Sequence, residues 1–329
     1  MFKVGILGCG HIAETMAKTI NDTDGVTLHA VAAREKERAY AFKEKWNAKK
    51  SYGSYEGLLA DEDVELVYVA TITSLHKEHM LQALNAGKPV LCEKSFTVNR
   101  EEAEEVFALA KEKNLFAAEA IWTRYMPVRK LINDIIDNGT IGKVTSITAN
   151  LGYTISEKPR IARPELGGGA MLDISVYPIN FALMAVNDRK ITAQSGLCVK
   201  NEYGADIRET MDMITEDGVA ISLFADTETL SDRRGIIYGT KGRIEVDNVN
   251  NPGLVEAFLI DNRTFIKAEE HVLSHHSTGF EYELLEAVKA IGNGKTESES
   301  MPWKTTLDVL SIMDNYRKTW GVRIGNEFI

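Results

Sequence analysis

Cysteine is scarce. The 329 residues hold only three, Cys9, Cys92 and Cys198, far apart and odd in number. That excludes a disulfide framework and a cysteine-built zinc site, and it points to a reducing compartment. Basic residues are not in excess either. Lys and Arg number 38 against 48 Asp and Glu, a net charge of −10. This argues against nucleic acid as the main partner, because phosphate binding needs a basic face. It argues equally against an anionic membrane surface. No apolar run approaches the roughly 20 residues of a membrane span. The apolar start of the chain is one strand long and ends at a glycine turn, so it lacks a signal-peptide pattern, and cytoplasm is the default expectation. Repeats and low-complexity stretches are missing as well. The length is too great for one ordinary core, and two domains are expected.

What is present begins at once. Phe2–Leu7 (FKVGIL) is a short apolar run, followed by Gly8, Gly10 and Ala13 in G-C-G-H-I-A and then by a helical pattern at Ile12, Met16 and Ile20. Strand, glycine turn and helix at these spacings open a dinucleotide-binding βαβ unit. Gly8 permits the tight turn, Gly10 lets the backbone approach a pyrophosphate, and Ala13 is small enough for close packing of helix on strand. The first N–H groups of the helix, those of His11 and Ile12 among them, would face the phosphates at the positive end of the helix dipole. An ordinary strand–turn–helix connection is the plainer alternative.

The next hundred residues keep this rhythm. Apolar strands are expected at 26–33, near Ser51, and at 64–71, 89–92 and 115–121. They alternate with helices at 35–46, near Leu58, and at 76–86 and 101–113. Near-continuous apolar strands separated by amphipathic helices specify a parallel sheet covered on both faces. The expected first domain is therefore an α/β Rossmann domain, a doubly wound parallel sheet over residues 1–122. The remainder, 123–329, reads as α+β. It has a helix at 126–137, a strand at 144–153, a helix at 171–186 after Gly167-Gly168-Gly169, and a mostly antiparallel open sheet from Thr192 to about Lys267. Two helices near 282–291 and 305–320 close the chain. One face of that sheet would carry helices, and the other would be solvated or buried against another subunit.

NAD-selective folds carry an acid at the end of the second strand, about 20 residues past the glycines. Here that position is Ala33, followed by Arg34. A small residue leaves room for a 2′-phosphate and the guanidinium can pair with it, with Lys36 and Arg38 adding positive charge. The pattern favours NADP over NAD. A strand ending slightly later would instead present Glu35.

Two motifs carry the chemistry. Leu91-Cys92-Glu93-Lys94 closes a central strand, at the end that faces the ligand crevice in open α/β sheets. A lysine there can stabilise alkoxide character as hydride leaves, although an isolated strand-end lysine is more often just solvated. In Gly167-Gly168-Gly169-Ala170-Met171-Leu172-Asp173-Ile174-Ser175-Val176-Tyr177, Asp173 and Tyr177 are four apart and share a helix face. They could orient a polyol and move its proton. Equally, Asp173 could favour the helix start and Tyr177 pack in the core. Among weaker candidates, His76 opens a helix beside the nicotinamide with a structural role. Trp122 and Arg124 would line the pocket, and Tyr153 and Arg163 could touch substrate. His275-His276 lacks a carboxylate at fitting spacing, so no metal site is expected. Cys92 reads as a buried strand residue.

Taken together, GxGxxA at the start, CEK after a strand and GGGAxxDxxxY at mid-chain resemble the Gfo/Idh/MocA oxidoreductases over the whole chain. Thr71 to His76, with Ala83, Leu84, Ala86, Gly87, Lys88 and Pro89, is similar to the family's segment between its fourth and fifth strands. Ala118 to Arg124 looks like the dimeric dihydrodiol dehydrogenase branch, as do Gly239-Thr240-Lys241-Gly242, Gly279 to Glu283 and Met301-Pro302-Trp303. The resemblance implies an NADP-dependent oxidoreductase moving a hydride between nicotinamide and a carbinol carbon of a pyranose or cyclic diol. It implies Lys94 and Tyr177 as the proton-transfer pair, Asp173 as an orienting residue, and Gly8, Gly10, His11, Ile12, Ala33, Arg34, Thr71, His76, Glu93, Lys94, Trp122 and Arg124 around the cofactor. It further implies a homodimer through the second-domain sheet, or a tetramer built from it. The rivals are a non-catalytic nucleotide sensor and an NAD-dependent inositol-type dehydrogenase. Two departures stand out. Ser95 replaces the family's usual proline, which leaves either a cis Lys94–Ser95 bond or a differently aimed Lys94. Ile72 and Thr73 replace the usual Pro-Asn beside the cofactor.

Overall fold

A computed structural model of the chain describes residues 1–325. It packs as two compact units, one of Met1–Tyr125 with His275–Leu307 and the other of Met126–Ser274 with the residues from Asp308 onward. The expected division at residue 122 differs in one respect: 275–307, read with the second domain, packs with the first.

The first unit holds six strands, β1 (Phe2–Leu7), β2 (Val26–Ala32), β3 (Lys50–Tyr52), β4 (Leu66–Val69), β5 (Val90–Glu93) and β6 (Ala117–Ala120). They alternate with α1 (His11–Asp22), α2 (Lys36–Trp46), α3 (Tyr55–Leu59), α4 (His76–Asn85) and α5 (Arg100–Lys113). The sheet is parallel with order β3-β2-β1-β4-β5-β6. The order in which successive strands are added reverses between β1 and β4, the switch point beside which such sheets bind ligands. Strands β4, β5 and β6 are buried throughout, as their apolar runs require. Local chemistry sets the helix ends. The Asn99 side chain accepts from Glu102 N–H at 2.9 Å to start α5. Asn47 and Asn114, both left-handed, stop α2 and α5.

The second unit follows with α6 (Pro127–Asp137), β7 (Val144–Gly152), the short α7 (Pro159–Ala162) and α8 (Val176–Ala185). Seven more strands come next: β8 (Ile191–Lys200), β9 (Asp206–Thr215), β10 (Ala220–Asp226), β11 (Gly235–Gly239), β12 (Gly242–Val246), β13 (Leu254–Asp261) and β14 (Thr264–Val272). The eight strands run β14-β13-β12-β11-β7-β10-β9-β8. All neighbours are antiparallel except β7 and β10. Alternation sorts the two faces. Gly196, Met211, Leu223, Ala149 and Gly235 form one cross-strand row on the face that α8 packs against. Leu197, Thr210, Phe224 and Asn150 form the neighbouring row on the opposite face. The chain then returns to the first unit with α9 (Glu281–Gly292), and α10 (Trp303–Trp320) ends the described helices. Among the described residues no helix is long and apolar enough to cross a membrane.

The helix expected at 171–186 is in fact two pieces. Residues Met171–Ser175 form a π-turn, and regular α-helix begins only at Val176. Asp173 and Tyr177 therefore lie on different kinds of backbone, still about one turn apart.

Candidate functional site

The glycine turn after β1 has the form a nucleotide needs. Gly8 adopts φ +96°, and a Cβ there would lie 2.7 Å from the Ala70 carbonyl oxygen, so only glycine is accommodated. A Cβ on Gly10 would meet nothing within 4 Å. Gly10 is the N-cap of α1, and no side chain caps that helix. The first N–H groups, including those of His11 and Ile12, thus adjoin open space, the arrangement that accepts a pyrophosphate. Arg38, read as local positive charge, has another task. Its Nε and Nη2 donate to the Cys9 carbonyl at 3.3 and 2.9 Å and fasten the turn to α2. Burial pushes the Cys9 thiol up to about 11, against the pull of Arg38, which marks it as inert.

At the end of β2, Ala33 is buried and donates its N–H to the Tyr52 carbonyl at 3.2 Å. Arg34 is exposed, and its charge is felt by Tyr55 and His79. Glu35 is the N-cap of α2. The small residue and the cation therefore come directly after the strand, ahead of the acid.

Lys94 follows β5. Across residues 90–98 every residue is buried except Lys94. The strap is pinned from several sides. His76 Nδ1 lies 2.9 Å from the Ser95 carbonyl and its Nε2 lies 3.1 Å from that of Thr71. The Phe96 N–H donates to Glu119 Oε1 at 3.1 Å, and the Val98 N–H to Glu102 at 3.4 Å. The Lys94–Ser95 peptide is cis, the first of the two alternatives left by the missing proline. Burial drives His76 down to about 4, so the ring is neutral and structural. Thr71 also reaches His79 Nδ1 at 2.9 Å.

Glu93, expected beside the cofactor, is buried with two acids that pattern reading missed, Glu119 and Glu283. The Tyr68 hydroxyl donates to Glu93. Glu283 is fully buried, and burial together with the nearby Glu93 raises its carboxyl well above the usual range. Burial likewise raises Glu119 to about 7, with the Phe96 N–H, Arg124 and Lys94 pulling the other way. The signal for Glu119 was available: it is a lone acid inside the apolar run LFAAEAI. Trp122 is nearly buried, stacked on Phe280 with centroids 4.8 Å apart, and Arg124 is 1% exposed, so both are packed within the first unit.

The second unit presents Asp173 and Tyr177. From residue 167 to residue 186 everything is buried except these two side chains. Asp173 Oδ1 accepts from Arg160 Nη1 at 2.7 Å. Gly169, at φ +117°, lies so close to Asp206 that an added Cβ would stand 2.3 Å from its Oδ1. The weaker candidates are engaged elsewhere. The Tyr153 hydroxyl accepts from Asn250 at 3.1 Å, and the Arg163 guanidinium stacks 3.9 Å over Tyr203.

One further cluster has metal-like composition. His29, Asp61 and Asp63 bring ligand atoms within 4.8 Å of one another. Lys50 and Tyr52 already donate to Asp61 at 3.0 Å each. Burial alone would raise that carboxyl, but Lys50, the Asp63 N–H and Tyr52 bring it down to about 2. The cluster carries its own cation.

Residues 2–120 match the model of the GFO/IDH/MocA oxidoreductase family, NAD-binding Rossmann fold, and residues 130–245 match the GFO/IDH/MocA C-terminal domain. The chain is 32% identical to trans-1,2-dihydrobenzene-1,2-diol dehydrogenase of Xenopus tropicalis, over 97% of this chain and 98% of that protein. It is 31% identical to the NADP(+) D-xylose 1-dehydrogenase of Hypocrea jecorina, over 97% and 92%. Among solved structures, the 3-ketoreductase KijD10 of Actinomadura kijaniata, in complex with NADP and TDP-benzene, superposes with a TM-score of 0.86. Its identity is 27%, with 98% of each chain covered.

Proposed function

The chain belongs to the GFO/IDH/MocA oxidoreductase family, and on that premise we propose that it is an NADP-dependent dehydrogenase or reductase acting on a CH–OH group of a pyranose or cyclic diol. The observation that carries the reading is a pattern of exposure. In two otherwise buried segments, 90–98 and 167–186, the only side chains left accessible are Lys94, Asp173 and Tyr177. Burying everything around three polar groups is what a site of chemistry requires, and a packing role needs no such exception.

When bound, NADP supplies the hydride-accepting or hydride-donating carbon. This chain's residues supply the rest. The turn at Gly8 and Gly10 and the first N–H groups of α1 would hold the pyrophosphate. Arg34 would pair with the 2′-phosphate in the room left by Ala33. The Tyr177 hydroxyl would take the substrate's hydroxyl proton or return it. The Lys94 ammonium would stabilise the negative oxygen formed on the way. Asp173, held by Arg160, would orient a neighbouring hydroxyl. The names and cofactors of the relatives support the substrate class and NADP. The free thiols, Cys9, Cys92 and Cys198, support a reducing, cytoplasmic setting. The outward face of the second-unit sheet, with Leu197, Val199 and Ile214 exposed at 77, 47 and 40%, supports a homodimer formed there.

Fluorescence titration with NADPH and NADH in parallel, then absorbance assays with D-xylose, other pyranoses and trans-cyclic diols, test the reading. Tighter NADPH binding, weakened tenfold or more by Arg34→Ala, and turnover of a panel member are expected. NADPH binding with no turnover on any panel member would move the assignment to a nucleotide sensor. Binding of neither cofactor would overturn it.

A further inference from the structure

Two acids lie directly beneath the segment that presents Asp173 and Tyr177. Asp206 and Glu209, on β9, are 0 and 1% exposed. Each holds one end of that segment. The Met171 N–H donates to Asp206 Oδ2 at 2.6 Å, and the Ser175 hydroxyl donates to Glu209. The π-turn Met171–Ser175 is thus gripped at its first and last residues. Their remaining oxygens, Asp206 Oδ1 and Glu209 Oε1, receive no hydrogen bond from any other described group. The two carboxyls are within hydrogen-bonding reach of each other. A single proton between them satisfies both oxygens, whereas two buried carboxylates in contact would repel. Few charges compensate. Arg317 on α10 faces Asp206 and is itself bonded to Asp314 at 2.7 Å. Tyr316 on α10 and Cys198 on β8 face Glu209 and bring no positive charge.

We propose that Asp206 and Glu209 act as one proton-sharing pair that positions the Asp173–Tyr177 turn, so that alkaline loss of the shared proton loosens the turn and lowers turnover. The proposal rests on the assignment of Asp173 and Tyr177 to the chemistry. Both acids are positioning residues, since their contacts are to Ser175 and to the Met171 backbone. Burial, followed for Glu209 by the neighbouring Asp206, raises both carboxyls, in the direction a retained proton needs. Single π-turns are rare inside helices and occur mostly at functional sites, and this one carries a side-chain contact at each end.

The test uses the full chain, its Glu209→Gln and Glu209→Ala variants, and Tyr177→Phe as a companion. Amide exchange of peptides covering 169–177 is followed by mass spectrometry from pH 7 to 9.5, and kcat and KM are measured over the same range. A glutamine keeps a donor toward Asp206 and an acceptor for Ser175 at every pH. The wild-type segment is therefore expected to gain tenfold or more in exchange over Glu209→Gln at the alkaline end. The alkaline fall in kcat should be absent in Glu209→Gln. Glu209→Ala should lose tenfold or more in kcat with cofactor KM changed less than twofold, and Glu209→Gln should recover most of that loss. Equal exchange in wild type and Glu209→Gln across the range would overturn the proposal, and so would an alkaline limb common to both. If Tyr177→Phe turns over like wild type, the catalytic assignment fails on its own, and the exchange comparison still decides whether the pair holds the turn. Should Glu209→Ala fail to fold, the isosteric Glu209→Gln comparison stands by itself.

Discussion

Lys94 owes its place to its neighbours. His76 and Glu119 hold the carbonyl of Ser95 and the N–H of Phe96, so the backbone on the C-terminal side of the lysine is fixed. Tyr177 is the one residue of α8 that is not buried. If the pair moves the substrate proton, Tyr177→Phe should cut kcat by about 10²–10⁴-fold and leave the NADPH dissociation constant within twofold. Steady-state kinetics beside fluorescence titration measure both. Glu119 gives a separate pH signature. Its carboxyl is raised from an ordinary value of 4.5 to about 7, so the native state binds more protons than the unfolded chain between those values. Stability is then fully present below the unfolded value and is lost as pH rises through about 7. Glu119→Gln should remove that dependence, and wild type should lose on the order of 1–3 kcal/mol relative to the variant between pH 5 and 8. Denaturant titrations of both proteins at the two pH values show it. The sequence announced Lys94 and Tyr177 because motifs carry them. It hid Asp206 and Glu283 because an acid in a polar-looking stretch reads as surface. Glu209 was within reach: it stands in phase with Ile207, Met211 and Met213, the inward positions of β9.

At the scale of elements, the β1–α1 turn separates folding from binding within three residues. Gly8 is closed in by the Ala70 carbonyl, while Gly10 has open space where a Cβ would be. Gly8→Ala should therefore cost about 1–3 kcal/mol of stability through its positive φ as well as nucleotide affinity. Gly10→Ala should leave the melting temperature nearly unchanged and weaken NADPH tenfold or more. Thermal melts and titrations of the two variants distinguish the cases, and equal melting temperatures would sink the distinction. Most elements were legible because their physics is local. Asparagines stop α2 and α5 where the chain needs left-handed residues. The π-turn was not legible, since its cause is tertiary: Asp206 and Glu209, more than thirty residues downstream, draw on its two ends. The parallel pairing of β7 with β10 escaped for the same reason, because alternation fixes which face a residue occupies and leaves strand order open.

For the molecule as a whole, the unresolved balance is the outward face of the eight-stranded sheet. Its row of Leu197, Thr210, Phe224 and Asn150 mixes apolar and polar groups as a partner surface does. Light scattering behind size exclusion should give twice the 36.5 kDa of one chain, and Leu197→Asp with Ile214→Asp should shift it toward the single chain. A monomer at micromolar concentration in the wild type would refute this. Domain number was readable from length, and the allegiance of 275–307 was not, because a helix period says nothing about which sheet it covers. That allegiance has a consequence for how the protein is made. Trp303 stacks on Phe107 with centroids 5.1 Å apart and donates its indole N–H to the Ala117 carbonyl at 2.8 Å. The nucleotide-binding unit is therefore finished by residues made only after all the strands of the second unit. While the intervening strands are being synthesised, its edge at β6 waits without its indole cover. A chain stalled before Trp303 should be open to proteases there, and one released past it should be closed.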